Sequence, residues 1–229
     1  MNNFLLSYNI LIMRSLCVVS SKNPNMVLVE TVKKLKIFYP EFDIVVIDSD
    51  STDFTYYRFL PNDVTVDYCK NKNWELGAWY YAFHKYSFYD IYMFIQDSLV
   101  PLCRIPELNI DNYDKNTVYS FHYDALLFQG GYYDELVDCY KNTSLHFISE
   151  LPPSYPIKGT AHFSFIADRN NTEKMLMLEE PYIEKQIMKT KVHSWLAERT
   201  GGLIIERNKN KRIDITPYFQ KYHLNRDIP

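Results

Sequence analysis

The residues best suited to chemistry in this sequence are acids at the ends of apolar runs. Asp97 follows Ile91-Tyr92-Met93-Phe94-Ile95-Gln96 and precedes Ser98, with Pro101 closing the strand. Asp48 and Asp50 follow Ile44-Val45-Val46-Ile47 in the stretch Asp48-Ser49-Asp50-Ser51-Thr52-Asp53. Continuous apolar runs of this length read as strands buried on both faces, as in the parallel core of an α/β sheet. Such sheets meet their ligands at the carboxyl edge. An acid there faces a metal or a phosphate-bearing ligand, or else serves as a turn residue. Two strands of one design point to a shared crevice.

The elements that must position these acids follow in order. Leu16 to Ser21 reads as the first core strand, and Asn23-Pro24-Asn25 breaks it. Leu28, Val32, Leu35 and Phe38 or Tyr39 make one helical stripe, ended by Pro40. Strands are predicted at 43–47, 64–68 and 91–95, with a helix carrying Leu76, Trp79, Tyr80 and Phe83 before the last of them. This alternation predicts a largely parallel sheet. Further strands are predicted at 117–121, 161–166 and 203–205. Gly130-Gly131 marks a turn, and Pro152, Pro153 and Pro156 mark a loop. Asn170, with Glu173 three residues on, reads as a helix start. Helices are expected at 172–179 and 181–199, the second ended by Gly201-Gly202. The tail from Asn208 to Pro229 is expected to wrap the surface.

The chain has 229 residues and a net charge of −3, with no Pro/Gly/Ser linker. One domain is expected, and the charge argues against non-specific nucleic-acid binding. Twenty tyrosines and fourteen phenylalanines stand against six glycines. This suits stacking on sugars and bases, and it equally fits the Asn, Lys, Ile and Tyr richness of a low-GC microbe or a large DNA virus. Cysteines 17, 69, 103 and 139 are dispersed, with no zinc spacing. Reduced thiols and a cytoplasmic location, in a viral case the host's, are expected. Sequons stand at Asn142 and Asn170. The apolar start, 4–13, lacks a basic flank and is too short to span a bilayer, so no transmembrane segment is expected.

In this order, residues 15–101 resemble the donor-binding half of GT-A glycosyltransferases, which use nucleotide sugars. The residues that carry the resemblance are Cys17-Val18-Val19-Ser20, Val45 through Asp53, Asn73 with Gly77 and Ala78, and Phe94-Ile95-Gln96-Asp97-Ser98. The resemblance implies a single GT-A domain, Rossmann-like, with a central mostly parallel sheet flanked by helices. Residues 15–101 would bind nucleotide, 102–207 would form the acceptor and catalytic half, and 208–229 a C-terminal tail. It implies a nucleotide-sugar donor (UDP-sugar favoured), a glycan or other hydroxyl acceptor, and Mn2+ or Mg2+. One departure stands out: where the family carries a paired-aspartate motif, this chain has Asp97 alone between Gln96 and Ser98.

The resemblance then distributes roles. Asp97 is the expected metal ligand, with His193 a second candidate, because hard oxygen donors suit these ions. Asp48 is expected on the nucleoside, with Asp50 as its substitute, Ser20 at the first strand end and Gln96 toward the ribose. Lys72 and Asn73 precede the second helix, whose positive end favours phosphate, and Gly77 permits close approach. Glu198, in Trp195-Leu196-Ala197-Glu198-Arg199, is the expected general base, with His162 as the other catalytic candidate. A dehydrogenase or methyltransferase needs a glycine-rich first turn, and Ser20-Ser21-Lys22-Asn23-Pro24 contains no glycine. The rival reading is an inactive transferase-like or carbohydrate-binding protein. Oligomeric state stays open.

Overall fold

A computed structural model describes residues 13–70, 74–127, 140–141, 143–176 and 191–222. Strand β1 (Ser15–Ser21) is buried along its whole length. Helix α1 (Met26–Phe38) starts where the Asn25 side chain accepts from the Val27 N–H at 2.9 Å. It buries Leu28, Val29, Val32 and Leu35. Strand β2 (Phe42–Ser49), strand β3 (Thr65–Cys69), helix α2 (Trp74–Lys85) and strand β4 (Ile91–Gln96) follow. These match the expected order. Strand β4 ends at Gln96 rather than at Pro101. The chain turns at Asp97-Ser98, and Pro101 closes a separate short strand, β5 (Leu99–Pro101).

The second half contains β6 (Thr117–Leu126), β7 (Pro156–Asp168), α3 (Arg169–Leu176), α4 (Lys191–Arg207), β8 (Lys211–Asp214) and β9 (Phe219–Lys221). The main sheet has seven strands in the order β3-β2-β1-β4-β7-β6-β8, and β5 pairs with β9 in a second, small sheet. The pairs β1–β2, β1–β4, β2–β3 and β6–β8 are parallel, and β7 runs against both of its neighbours. Two apolar layers sandwich the sheet. One centres on Trp79, Phe94, Phe163 and Leu196, the other on Val19, Leu28, Ile95 and Phe219.

Four expectations need correction. Residues 203–205 are helical, because α4 runs through Gly201-Gly202 instead of ending there. A glycine pair ends a helix when the chain must turn; here the pair serves close packing. A Cβ on Gly202 would stand 2.1 Å from the Lys158 carbonyl oxygen, and one on Gly201 2.4 Å from the Phe163 ring. Helix α3 is capped by Asp168, which accepts from the Asn171 N–H at 2.9 Å, so Asn170 lies inside the helix. Pro156 opens β7 rather than marking a loop. The tail supplies two strands instead of wrapping the surface. Arg212 on β8 fastens it, donating to Ser120 Oγ at 2.7 Å and to the Gly159 carbonyl at 2.6 Å. Residues 4–12, Gly130-Gly131, Cys139, Asn142, and 177–190 of the expected helices lie outside the described residues. Among the described residues no helix is long and apolar enough to cross a membrane.

Candidate functional site

Three neighbouring strands deliver their carboxyl ends to one place. The register sets Ser21 opposite Asp48 and Ser20 opposite Gln96. The Asp97 N–H then donates to the Ser20 carbonyl at 3.0 Å, and the Ser21 hydroxyl donates to Asp97 Oδ2 at 2.7 Å. Thr31 on α1 donates to the Asp97 carbonyl at 3.0 Å. On the other side of β1, Asp48 Oδ1 accepts from the Ser51 N–H at 3.0 Å, and Oδ2 accepts from the Tyr57 hydroxyl. Burial first, and then the Asp48 carboxylate, push that phenol above its ordinary range. Asp48 and Asp97 thus stand on either side of β1, the first held by Tyr57 and the second by Ser21. They are 1% and 3% exposed. Buried carboxylates at this depth depend on such donors, because an unpaired buried charge is strongly disfavoured.

Beside Asp48 stands an aromatic group that the sequence reading did not single out. The rings of Phe54, Tyr57 and Tyr68 lie 5.9–6.5 Å apart pairwise. Phe54 and Tyr68 are exposed. Large apolar rings held open at a strand edge make a stacking surface. Its signal in the sequence was the run Phe54-Thr55-Tyr56-Tyr57 directly after the acidic stretch. Asp50 is exposed and adopts a left-handed backbone, φ 62°. Its loop is tied to the one after β1, since Asn23 Oδ1 accepts from the Thr52 N–H at 2.8 Å. Gly77 is buried within α2. Lys72 and Asn73 lie outside the described residues.

The residues flanking Asp97 are held by a cation. Lys221 Nζ donates to Gln96 Oε1 at 2.5 Å and to Ser98 Oγ at 2.6 Å. The resemblance implies Mn2+ or Mg2+ at this strand end. One Asp97 oxygen accepts from Ser21, and both neighbouring side-chain oxygens accept from an ammonium. Among the described residues no three His, Cys, Asp or Glu side chains gather as a metal shell. A hard divalent ion needs several oxygen lone pairs turned toward it, and this set does not fit one.

The two catalytic candidates stand on different elements, His162 on β7 and Glu198 on α4. Antiparallel pairing sets Phe94 opposite Phe165. The pairing stops there: Asp97 lies in the turn after β4, and His162 lies beyond Phe165 in an irregular stretch of β7. There β7 bulges, and His162 and Phe163 take left-handed backbone, φ 58° and 44°. Strain of this kind in non-glycine residues concentrates at functional sites. The His162 ring lies 6.4 Å from Phe121, which lies 5.2 Å from Phe219 on β9. Glu198 instead lies buried inside α4, against Tyr123 and next to Arg199, and not at a helix end. Burial first, and then the Glu198 charge, raise the Tyr123 phenol. His193 is buried near the start of α4, beside Ser194, which donates to Glu75 at 3.4 Å.

A pH response follows from the neighbouring β6. The His122 imidazole is pushed down to about 4 from 6.5, by burial first and then by Arg212, with Asp214 opposing. The unfolded chain therefore binds the proton first as pH falls. Stability is full above the ordinary histidine value and is lost toward pH 4. Since the ring is half-buried, a loss of about 1 kcal/mol between pH 7 and pH 5 is expected. Urea midpoints at the two pH values check this, and His122→Gln should shrink the difference.

The strand order, the mostly parallel course and the helices on both faces make this an α/β protein with a central, mostly parallel sheet flanked by helices. No family model and no curated protein matches the sequence. Among solved structures, S. aureus TarS shares 12% identity at a TM-score of 0.49, over 92% of this chain and 37% of that one. GalNAc-T7 with UDP, GalNAc and Mn2+ shares 12% at 0.48, over 72% and 37%. A cytidylyltransferase from Leptospira borgpetersenii serovar Hardjo-bovis (strain JB197) shares 11% at 0.43, over 79% and 73%. This chain spans little more than a third of the first two.

Proposed function

We propose that this protein is a glycosyltransferase that takes a sugar from a nucleoside diphosphate sugar, UDP-sugar by preference, to a hydroxyl of a glycan acceptor. The observation that supports it is two buried acids at the ends of three adjacent strands, Asp48 held by Tyr57 and Asp97 held by Ser21, with a stacking surface beside Asp48. The nucleoside base would lie against Phe54, Tyr57 and Tyr68, with Asp48 below it. The ribose and diphosphate would follow the edge from Ser20 to Gln96 and Asp97. In the sequence Lys72 and Asn73 directly precede Trp74, where α2 begins and Gly77 follows, and a helix N-terminus favours phosphate.

In the transfer, the bond from the anomeric carbon to the β-phosphate oxygen breaks, and its electron pair stays on the phosphate. The acceptor oxygen bonds to the anomeric carbon and gives its proton to a base. Of the two candidates we favour His162, which stands in the strained bend of β7, the strand that pairs with β4.

Thermal denaturation with UDP, GDP and dTDP tests the donor site. A ligand at a hundred times its Kd adds about 2.7 kcal/mol, or roughly 5–10 °C at this chain length. UDP is expected to give the largest rise, and no rise with any of the three would remove the donor site. Release of UDP from a UDP-sugar separates an enzyme from the rival reading of a carbohydrate-binding or inactive relative, which would bind without turnover.

A further inference from the structure

We propose that the Lys221 ammonium takes the place of the divalent cation, so that the donor diphosphate is bound and released without a metal ion. This rests on the nucleotide-sugar reading above. Lys221 Nζ stands between the side chains on either side of Asp97, at 2.5 Å from Gln96 Oε1 and 2.6 Å from Ser98 Oγ. Both acceptors are neutral oxygens, and together they fix the position of the ammonium.

The position is built rather than accidental. Pairing of β5 with β9 sets Leu99 opposite Lys221, and the Tyr222 N–H donates to the Ser98 carbonyl at 2.9 Å. On the other side of that strand pair, the Leu102 N–H donates to the Tyr218 carbonyl at 2.9 Å. Phe219, two residues before the lysine, is buried against Phe121. A divalent ion at the same strand end would have to displace the ammonium from these oxygens and would be repelled by it. A lysine is a compact point charge suited to phosphate. As the bond to the anomeric carbon breaks, negative charge grows on the β-phosphate oxygen, and a fixed ammonium stabilises it there. The proton of the acceptor still goes to the base, and the lysine keeps its own.

The experiment is isothermal titration of UDP and of uridine into the full chain, each in EDTA and in MnCl2. The variants are Lys221→Met and Lys221→Arg. For the wild type, UDP is expected to bind equally in EDTA and in Mn2+. Lys221→Met should weaken UDP by about tenfold or more, in both buffers, while uridine binds as to the wild type. Lys221→Arg should retain most of the UDP affinity. Loss of uridine binding together with UDP would mean that the lysine only holds the fold, and would overturn the inference. UDP binding that needs Mn2+ would overturn it and leave the donor site standing. A wild type that binds no nucleotide in either buffer would overturn both.

Discussion

Asp48→Ala is expected to lower stability by about 2–4 kcal/mol, and with it the melting temperature by roughly 5–15 °C. The carboxylate is buried and accepts from the Ser51 N–H and the Tyr57 hydroxyl. Truncation leaves both donors without their acceptor in a place that water hardly reaches, and the asymmetry of hydrogen-bond energetics makes that loss larger than the bond's net worth. The same change should remove uridine binding, since the loop at 50–53 and the Tyr57 ring are both oriented by this side chain. Asp48→Asn separates the two effects. Its amide oxygen still accepts from Ser51, so most of the stability should remain. A neutral amide presents a donor where the carboxylate only accepted, and affinity for uridine should fall by about tenfold or more. Thermal denaturation and titration of uridine read the two quantities separately. Full stability and full affinity in Asp48→Ala would show that this acid supports neither the loop nor a nucleoside.

The part of this molecule that could be read from its sequence is the part whose physics is local. Strands β1, β2 and β4 are buried on both faces, so each is written as an unbroken apolar run. Helix α1 carries a stripe and an asparagine cap, and both can be seen within a single turn of helix. The elements misread are those whose reason lies elsewhere in the chain. Gly201-Gly202 reads as a stop unless it is known that Lys158 and Phe163 press against it. The tail reads as solvated surface because its strands are carried by polar residues. Arg212 reaches back to Ser120 and Gly159, and its guanidinium is pushed down to about 10 by burial. Lys221 is separated from Gln96 by 125 positions, so no spacing rule links them. Asp48 and Asp97 could be picked out as acids at strand ends. That Tyr57 holds the first and Ser21 the second, and that Phe54 and Tyr68 flank the place, follows from a register that only the folded sheet fixes.

His162→Asn is expected to reduce turnover of the sugar donor to acceptor by about 10²–10⁴-fold while the protein stays folded and binds UDP as before. The choice of asparagine follows from the backbone. His162 sits at φ 58°, in the left-handed region that asparagine tolerates better than most other residues. The substitution therefore keeps the bulge in β7 and removes the ring nitrogen that would take the acceptor's proton. An alanine would add backbone strain to the loss of the ring and blur the result. The readout that distinguishes chemistry from scaffolding is the split between parameters: kcat falls and the KM for the donor holds. Glu198→Gln is the matched comparison. Glu198 is buried in α4 against Tyr123, so it should change stability more than rate. If Glu198→Gln instead loses the rate with stability intact, and His162→Asn keeps it, the base is the glutamate, and the strain at His162 shapes the bend of β7 without touching the acceptor.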